Sequence, residues 1–318
     1  MCEPWRSLCR FLINEGDRGR EEKSMRIAFL TLFLTFFCAA CSGEARDTDS
    51  IITYGRENNS GTYMYFKEHV LGNADFAAEV QTLPGTAAVI NAVSKDPGAI
   101  GYGGIGYVKG VRAIPVKKDA NSPAVQPTLE NVVNGTYPIS RNLYFYTVGE
   151  PTGVAREFIA WVVGEEGQAV CEKVGYYPLA KAAQGSVTAN GSKSDGGALT
   201  IKGSDTMVIA GQRWAEHFME KNKGTMIQVT GGGSGTGIAA LINGATDICQ
   251  SSRPMKDKER QQIKEKFGKE ATEIAVAMDG LAIFVHEAST VSAVSLEDLK
   301  AIYTGQLKSW KALAAKPK

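Results

Sequence analysis

Histidine is nearly missing from this sequence: His69, His217 and His286 are the three in 318 residues. No pair stands at metal-ligand spacing, and none lies near a serine it could activate. Zinc centres and histidine-assisted nucleophiles therefore find no support, and neither a metal nor a cofactor is expected. Charge imbalance is missing too. Lys and Arg number 35 against 34 Asp and Glu, a net +1. This excludes the basic surface of a nucleic-acid-coating protein. No short-period repeat occurs. The longest apolar run, Ile27–Ala40, is too short for a comfortable permanent membrane span.

What that run does resemble is a secretory signal. Lys23 and Arg26 precede it, and it ends Cys38-Ala39-Ala40-Cys41-Ser42-Gly43. Small residues before a cysteine are the pattern of a bacterial lipobox, although Cys38 stands where Leu is usual. Residues 1–40 are thus expected to be a signal peptide with an upstream segment, and Cys41 a lipidated first residue. Cleavage near Ala40 without lipid is the alternative, and Met25 is a second candidate start. The six cysteines then shrink to Cys171 and Cys249, each expected as a buried free thiol.

Beyond the signal, short apolar stretches alternate with amphipathic ones, the pattern of an α/β fold. Strands are expected at Ile51–Tyr54, Ala99–Tyr102, Leu143–Thr147, Met226–Thr230, Thr246–Cys249 and Leu281–His286. Ser295-Leu-Glu-Asp298 is a capping box opening a helix with Leu299, Ile302 and Tyr303. Ile209, Trp214 and Phe218 form a helical stripe, and Thr152 opens another helix carrying Phe158, Ile159, Trp161 and Val162. Residues 181–199 hold almost no large apolar side chain, and their Gly, Ser, Asn and Ala predict a flexible tether.

Three segments place Ser, Thr and Gly where a helix begins: Gly203-Ser-Asp-Thr206-Met207, Gly231-Gly-Gly-Ser234-Gly-Thr236-Gly237, and Ser60-Gly61-Thr62. A helix start exposes unpaired N–H groups and the positive end of the helix dipole; hydroxyls add donors. Together such segments suit an anion. Arg56, four residues before Ser60, and Arg253, after Ser251-Ser252, add guanidinium forks that match tetrahedral oxyanions.

These segments, together with Asp247-Ile-Cys-Gln-Ser-Ser-Arg-Pro254, Arg56-Glu-Asn-Asn-Ser-Gly-Thr62, Asn131–Tyr146 and Asp298–Trp310, resemble the signatures of periplasmic phosphate-binding proteins. Those proteins are the substrate-capturing components of phosphate ABC transporters. The resemblance implies a two-lobe periplasmic binding protein (type II) fold with the ligand in the cleft between lobes. The motif order differs from the family's: the Arg56 block precedes the Gly203 block, which implies a circularly permuted order. On this reading residues 181–199 join the old termini, one lobe spans 141–279, and the other combines 46–140 with 280–318. Mismatched halves of two tandem genes are the alternative.

Carried over from the family, the site would comprise Thr206, the Met207 amide, Ser234, Ser252 and Arg253 with Arg56, Ser60, Gly61 and Thr62. Some family members carry Asp where this chain has Ser252. Asp279 is the first candidate for the carboxylate that accepts the proton of hydrogen phosphate; Asp205 is second and Asp247 third. The implied partners are inorganic phosphate, an ABC permease and, through the anchor, the membrane, with the protein a monomer that binds no nucleic acid. Two other classes stay open: a receptor lipoprotein or binder of sulfate or molybdate, and a phosphoester hydrolase using Ser60 or Ser234.

Overall fold

The structure, a computed structural model, describes residues 49–179 and 196–315. The chain begins with β1 (Ile52–Arg56), α1 (Gly61–His69), β2 (Gln81–Leu83), α2 (Gly85–Val93) and β3 (Ala99–Gly104). A 3-10 turn (Ile105–Tyr107) leads to β4 (Arg112–Ile114), β5 (Val116–Lys117), α3 (Leu129–Val133), β6 (Ser140–Val148), α4 (Gly153–Val163) and α5 (Glu165–Lys173). Next come β7 (Gly197–Gly203), a second 3-10 turn (Asp205–Met207), α6 (Val208–Lys221), β8 (Thr225–Thr230), α7 (Ser234–Asn243) and β9 (Ile248–Ser251). The remainder is α8 (Asp257–Phe267), β10 (Ala271–Val285), β11 (Val294–Ser295), α9 (Leu296–Tyr303) and α10 (Trp310–Ala314).

Nine strands join in the order β2-β1-β3-β10-β6-β9-β7-β8, with β4 also on β10. The connection between the two sides is β10. Its residues 271–280 pair antiparallel with β6, and residues 281–285 pair with β3 and β4. The strand was expected only at Leu281–His286. Ala271–Gly280 extends it because Ile274, Val276 and Ala277 are buried in the core of the second half, a surrounding that the short apolar motif near the end does not reveal.

Each half of the sheet has helices and core on both faces, which covers the parallel strands β2-β1-β3 and β9-β7-β8 as such strands require. In the second half, Trp214 and Phe218 of α6 pack with Phe145 and Phe158. The Trp214 indole N–H donates to the Gly167 carbonyl at 2.7 Å. Burying one such aromatic stabilises the fold by about 4–6 kcal/mol on area alone. In the first half, Phe66 of α1 stacks on Tyr102 of β3, and Tyr303 of α9 meets both edge-on. Ser295 caps α9, with the reciprocal Asp298 bond of a capping box; Thr152 stands at the N-cap of α4.

Cys171 and Cys249 are both free and buried. Burial raises both thiols above their ordinary pKa, which makes them packing residues rather than nucleophiles. The strand expected at Thr246–Cys249 lies two residues later, because Thr246 and Asp247 are engaged at its mouth by Thr200. The tether expected at 181–199 ends sooner: Gly197, Ala198 and Leu199 pair with Thr225, Met226 and Ile227 as the first rungs of β7. Its earlier part lies outside the described residues, as do the signal segment and Cys41.

The first and last described segments lie against each other. The Ile51 amide donates to the Lys308 carbonyl at 2.9 Å, and the Trp310 amide to the Asp49 carbonyl at 2.8 Å. The Asp49 carboxylate accepts from the Ser309 hydroxyl and the Lys311 amide, both at 2.8 Å. No helix among the described residues is long and apolar enough to cross a membrane.

Candidate functional site

The site forms where the two halves of the sheet face one another. On one side β1 ends at Arg56, and Ser60 turns the chain into α1. The Ser60 hydroxyl accepts from the Thr62 amide at 3.1 Å and the Tyr63 amide at 3.4 Å, the N-cap arrangement that fixes a first turn. On the other side stand the 3-10 turn after β7, the start of α7 at Ser234, and Ser252 just past β9.

These parts touch. The Thr62 and Thr206 hydroxyls are 2.9 Å apart. Ser204 donates to Ser252 at 2.9 Å, and the Ser252 amide donates to the Ser234 hydroxyl at 3.1 Å. A Cβ on Gly61 would fall 2.4 Å from Ser234 Oγ and 2.6 Å from Ser252 Oγ. Only glycine lets α1 come this near the opposing serines. Ser60, Thr62, Thr206, Ser234 and Ser252 are each no more than 1% exposed. Five buried hydroxyls in one place form a polar interior that an apolar core would not tolerate without partners.

Two guanidinium groups border this cluster. Arg56 is engaged by Glu57 through two bonds, by the Thr86 hydroxyl at 2.8 Å and by Asp205 at 3.0 Å. Asp205 in turn accepts from the Gly232 amide at 2.9 Å, and Tyr107 donates to its carbonyl at 2.7 Å. Asp205 thus joins Arg56 to the glycine loop. Arg141, at the head of β6, donates from Nη2 to Thr62 Oγ1 at 3.0 Å. It also donates from Nε and Nη2 to Asp279 Oδ2 at 3.1 and 2.8 Å. Asp279 Oδ1 accepts the Ile105 amide at 3.0 Å. Burial pushes the Asp279 carboxyl above its ordinary pKa, with Arg141 and the Ile105 amide pulling it back.

Arg141 Nη1 is buried and has no hydrogen-bond partner. An unpaired buried guanidinium N–H is costly, and its remedy is an acceptor. Nearby formal charge is two guanidinium groups against Glu57, Asp205 and Asp279. Hydrogen-bond donors, not excess positive charge, must therefore attract any anion. Sequence reasoning missed Arg141 as a site residue. The signal available was a single arginine at the entrance to an otherwise apolar strand, Ser140–Val148.

Of the other expected site residues, Arg253 is directed elsewhere: it donates to Glu259 at 2.7 and 2.9 Å and to the Pro254 carbonyl at 2.8 Å, fastening the start of α8. Met207 is buried, and its amide donates to the Ser204 carbonyl at 3.0 Å within its own turn. Asp247 is exposed and binds the Thr200 amide and hydroxyl at 2.7 and 2.8 Å, midway along β7. No cluster of three or more His, Cys, Asp and Glu among the described residues has the arrangement of a metal site.

A two-part α/β molecule with a buried polar site between its parts is the architecture of a solute-binding protein. The PBP superfamily domain matches residues 42–166 and 188–318, and the chain belongs to that superfamily. Phosphate-binding protein PstS 2 of Streptococcus agalactiae is 30% identical over 87% of this chain and 92% of its own length. Phosphate-binding protein PstS of Pseudomonas aeruginosa is 40% identical over 40% of this chain and 41% of its own. Among solved structures, the phosphate-binding protein of a phosphate ABC transporter from Streptococcus pneumoniae superposes with a TM-score of 0.61 at 24% identity, covering 83% of this chain and 99% of that one. That superposition establishes the fold.

Proposed function

We propose that this protein captures inorganic phosphate in the cleft between two lobes and delivers it to a membrane ABC permease. The observation that carries the reading is the unpaired, buried Nη1 of Arg141 beside the Thr62–Thr206 hydroxyl pair. A tetrahedral oxyanion there accepts from Arg141 and from hydroxyls of both lobes at once. Relatives named for phosphate binding support the choice of ligand.

Hydrogen phosphate also has a proton to donate. Asp279 Oδ1 holds one bond, from the Ile105 amide, which leaves acceptor capacity for that proton. Sulfate offers no proton, so the carboxylate repels it. A micromolar dissociation constant requires about 8 kcal/mol. Charge-assisted bonds contribute about 1.5–3 kcal/mol each, so Arg141 and a few hydroxyls reach that total. Arg56 has its donors engaged by Glu57, Thr86 and Asp205; we assign it to holding the cleft walls. Arg253 holds α8.

We read residues 46–140 with 280–318 as one lobe and 141–279 as the other, in circularly permuted order. The apposition of Asp49 with Ser309–Lys311 supports this reading. The protein is extracytoplasmic, a monomer anchored through lipid on Cys41. We infer that it performs no hydrolysis, since among the described residues no hydrogen bond joins a histidine to Ser60 or Ser234: His69 bonds the Tyr65 carbonyl, His217 lies beside Glu220 and His286 accepts from the Ala288 amide.

Titration calorimetry of the mature protein with phosphate, then with sulfate and molybdate as competitors, tests the reading. One-to-one phosphate binding that sulfate does not displace is expected. Heat from sulfate or molybdate but none from phosphate would overturn it.

A further inference from the structure

We propose that Asn59 is a latch that governs how long the closed protein holds its ligand. This residue lies outside the buried hydroxyl cluster and is exposed at its rim. Its side-chain amide nevertheless crosses to the opposite half, donating to the Gly232 carbonyl at 3.0 Å and to Thr236 Oγ1 at 3.2 Å. Its own carbonyl accepts the Gly235 amide at 2.9 Å. Three hydrogen bonds thus join one exposed residue to the glycine loop before α7 and to the helix's first turn.

The loop is shaped for that residue. A Cβ on Gly233, where φ is +89°, would lie 2.8 Å from the Asn59 carbonyl oxygen, and one on Gly235 would lie 3.2 Å from it. Both glycines keep open the space that Asn59 occupies. The glycine-rich segment serves docking between the halves at least as directly as it serves a ligand. Asn also supplies what the position needs: a donor amide for a carbonyl and a hydroxyl, on a short side chain beside the Ser60 cap. Asp has no donor for the Gly232 carbonyl.

Contacts made only after the halves meet act on release more than on encounter. Diffusional association is completed before the latch forms, so its loss appears in the dissociation rate. Solvent competes for exposed hydrogen bonds, which keeps the latch reversible, as delivery requires. This inference rests on the phosphate reading for its ligand.

The test measures association and release of inorganic phosphate by stopped flow for the wild type, Asn59→Ala and Gly235→Ala, with melting temperature as a check of folding. Release about tenfold faster, with association changed by less than about twofold, is expected for Asn59→Ala. Gly235→Ala should shift release the same way by crowding Asn59. Unchanged release from an Asn59→Ala protein that binds phosphate overturns the latch and leaves the phosphate reading standing. Should the wild type bind no phosphate, that reading falls, and hydrogen exchange at the Gly235 amide decides the latch in ligand-free protein. Faster exchange in Asn59→Ala supports it, and equal exchange overturns it.

Discussion

Arg141 and Asp279 are direct register partners across the β6–β10 pair, and their side chains form a buried ion pair at 2.8 Å. The pair sits where β10 passes from one half of the sheet to the other, one residue before Gly280 and Leu281. Burying two charges is unfavourable unless their remaining donors and acceptors are used. Thr62 and the Ile105 amide use two of them; Arg141 Nη1 is the donor left without a partner. The strand crossing therefore carries the open donor of the candidate site.

Arg141→Lys should expose the importance of that edge. Lysine retains a positive charge for Asp279 but loses the fork that reaches Thr62 and a ligand together. Phosphate affinity is expected to fall by about ten- to a hundredfold, the value of one or two charge-assisted bonds. Calorimetry checks this, and an unchanged affinity would place the anion elsewhere.

Asp279→Asn separates phosphate from sulfate. The amide retains size and one acceptor but can donate to an unprotonated oxyanion, removing the repulsion that a carboxylate imposes. Phosphate should weaken by about tenfold or more, while sulfate weakens less or gains. If both anions change equally, Asp279 does not set the discrimination, and Asp205 becomes the residue to vary.

The sequence revealed the hydroxyl clusters because helix starts have local signatures: Ser60, Ser234 and the Asp205–Met207 turn need only their neighbours to be recognised. It also revealed the α6 stripe through Trp214 and Phe218. Arg141 was invisible for the opposite reason. Its role depends on pairing with Asp279, 138 residues away, a distance that no local pattern spans. Arg253 carries a Ser-Ser-Arg context that suggests a ligand fork, while its partner Glu259 lies six residues further on, in α8. Local chemistry was legible; the partners of each charge were not.

Gly61→Ala should abolish capture and spare the fold. The added methyl would meet two serine hydroxyls of the opposing half inside 3 Å, so the halves must separate to admit it. Gly61 is the first residue of α1 and has no positive φ, so alanine takes its backbone without strain, and the melting temperature of the ligand-free protein should hold. Loss of phosphate binding together with an intact melting transition is the expected pair of results. Normal binding would show that α1 does not approach Ser234 when the ligand is held.

Asp49 tests the junction of the chain ends, and pH supplies the control. Its carboxyl lies below the ordinary aspartate pKa, first because the Ser309 hydroxyl and then because the Lys311 amide donates to it. A depressed folded-state pKa contributes stability above the unfolded value, near 3.9, and loses it as pH falls through the folded value. Asp49→Ala should therefore lower the melting temperature at pH 7, and the gap should narrow below about pH 4. The proposed permuted order adds a second arm. A chain opened within residues 181–195, with Asp49 and Ala315 joined through a short Gly-Ser link, would on that reading restore the motif order of the family it resembles. It should bind phosphate within about threefold of the starting protein, since Asp49 and Ser309–Lys311 already lie together and closing a short loop changes the free energy by less than about 1 kcal/mol. In that chain the covalent link takes over from Asp49, so Asp49→Ala should then cost little. Failure of the reopened chain to bind phosphate would mean that the two blocks are not the exchanged halves of one binding protein.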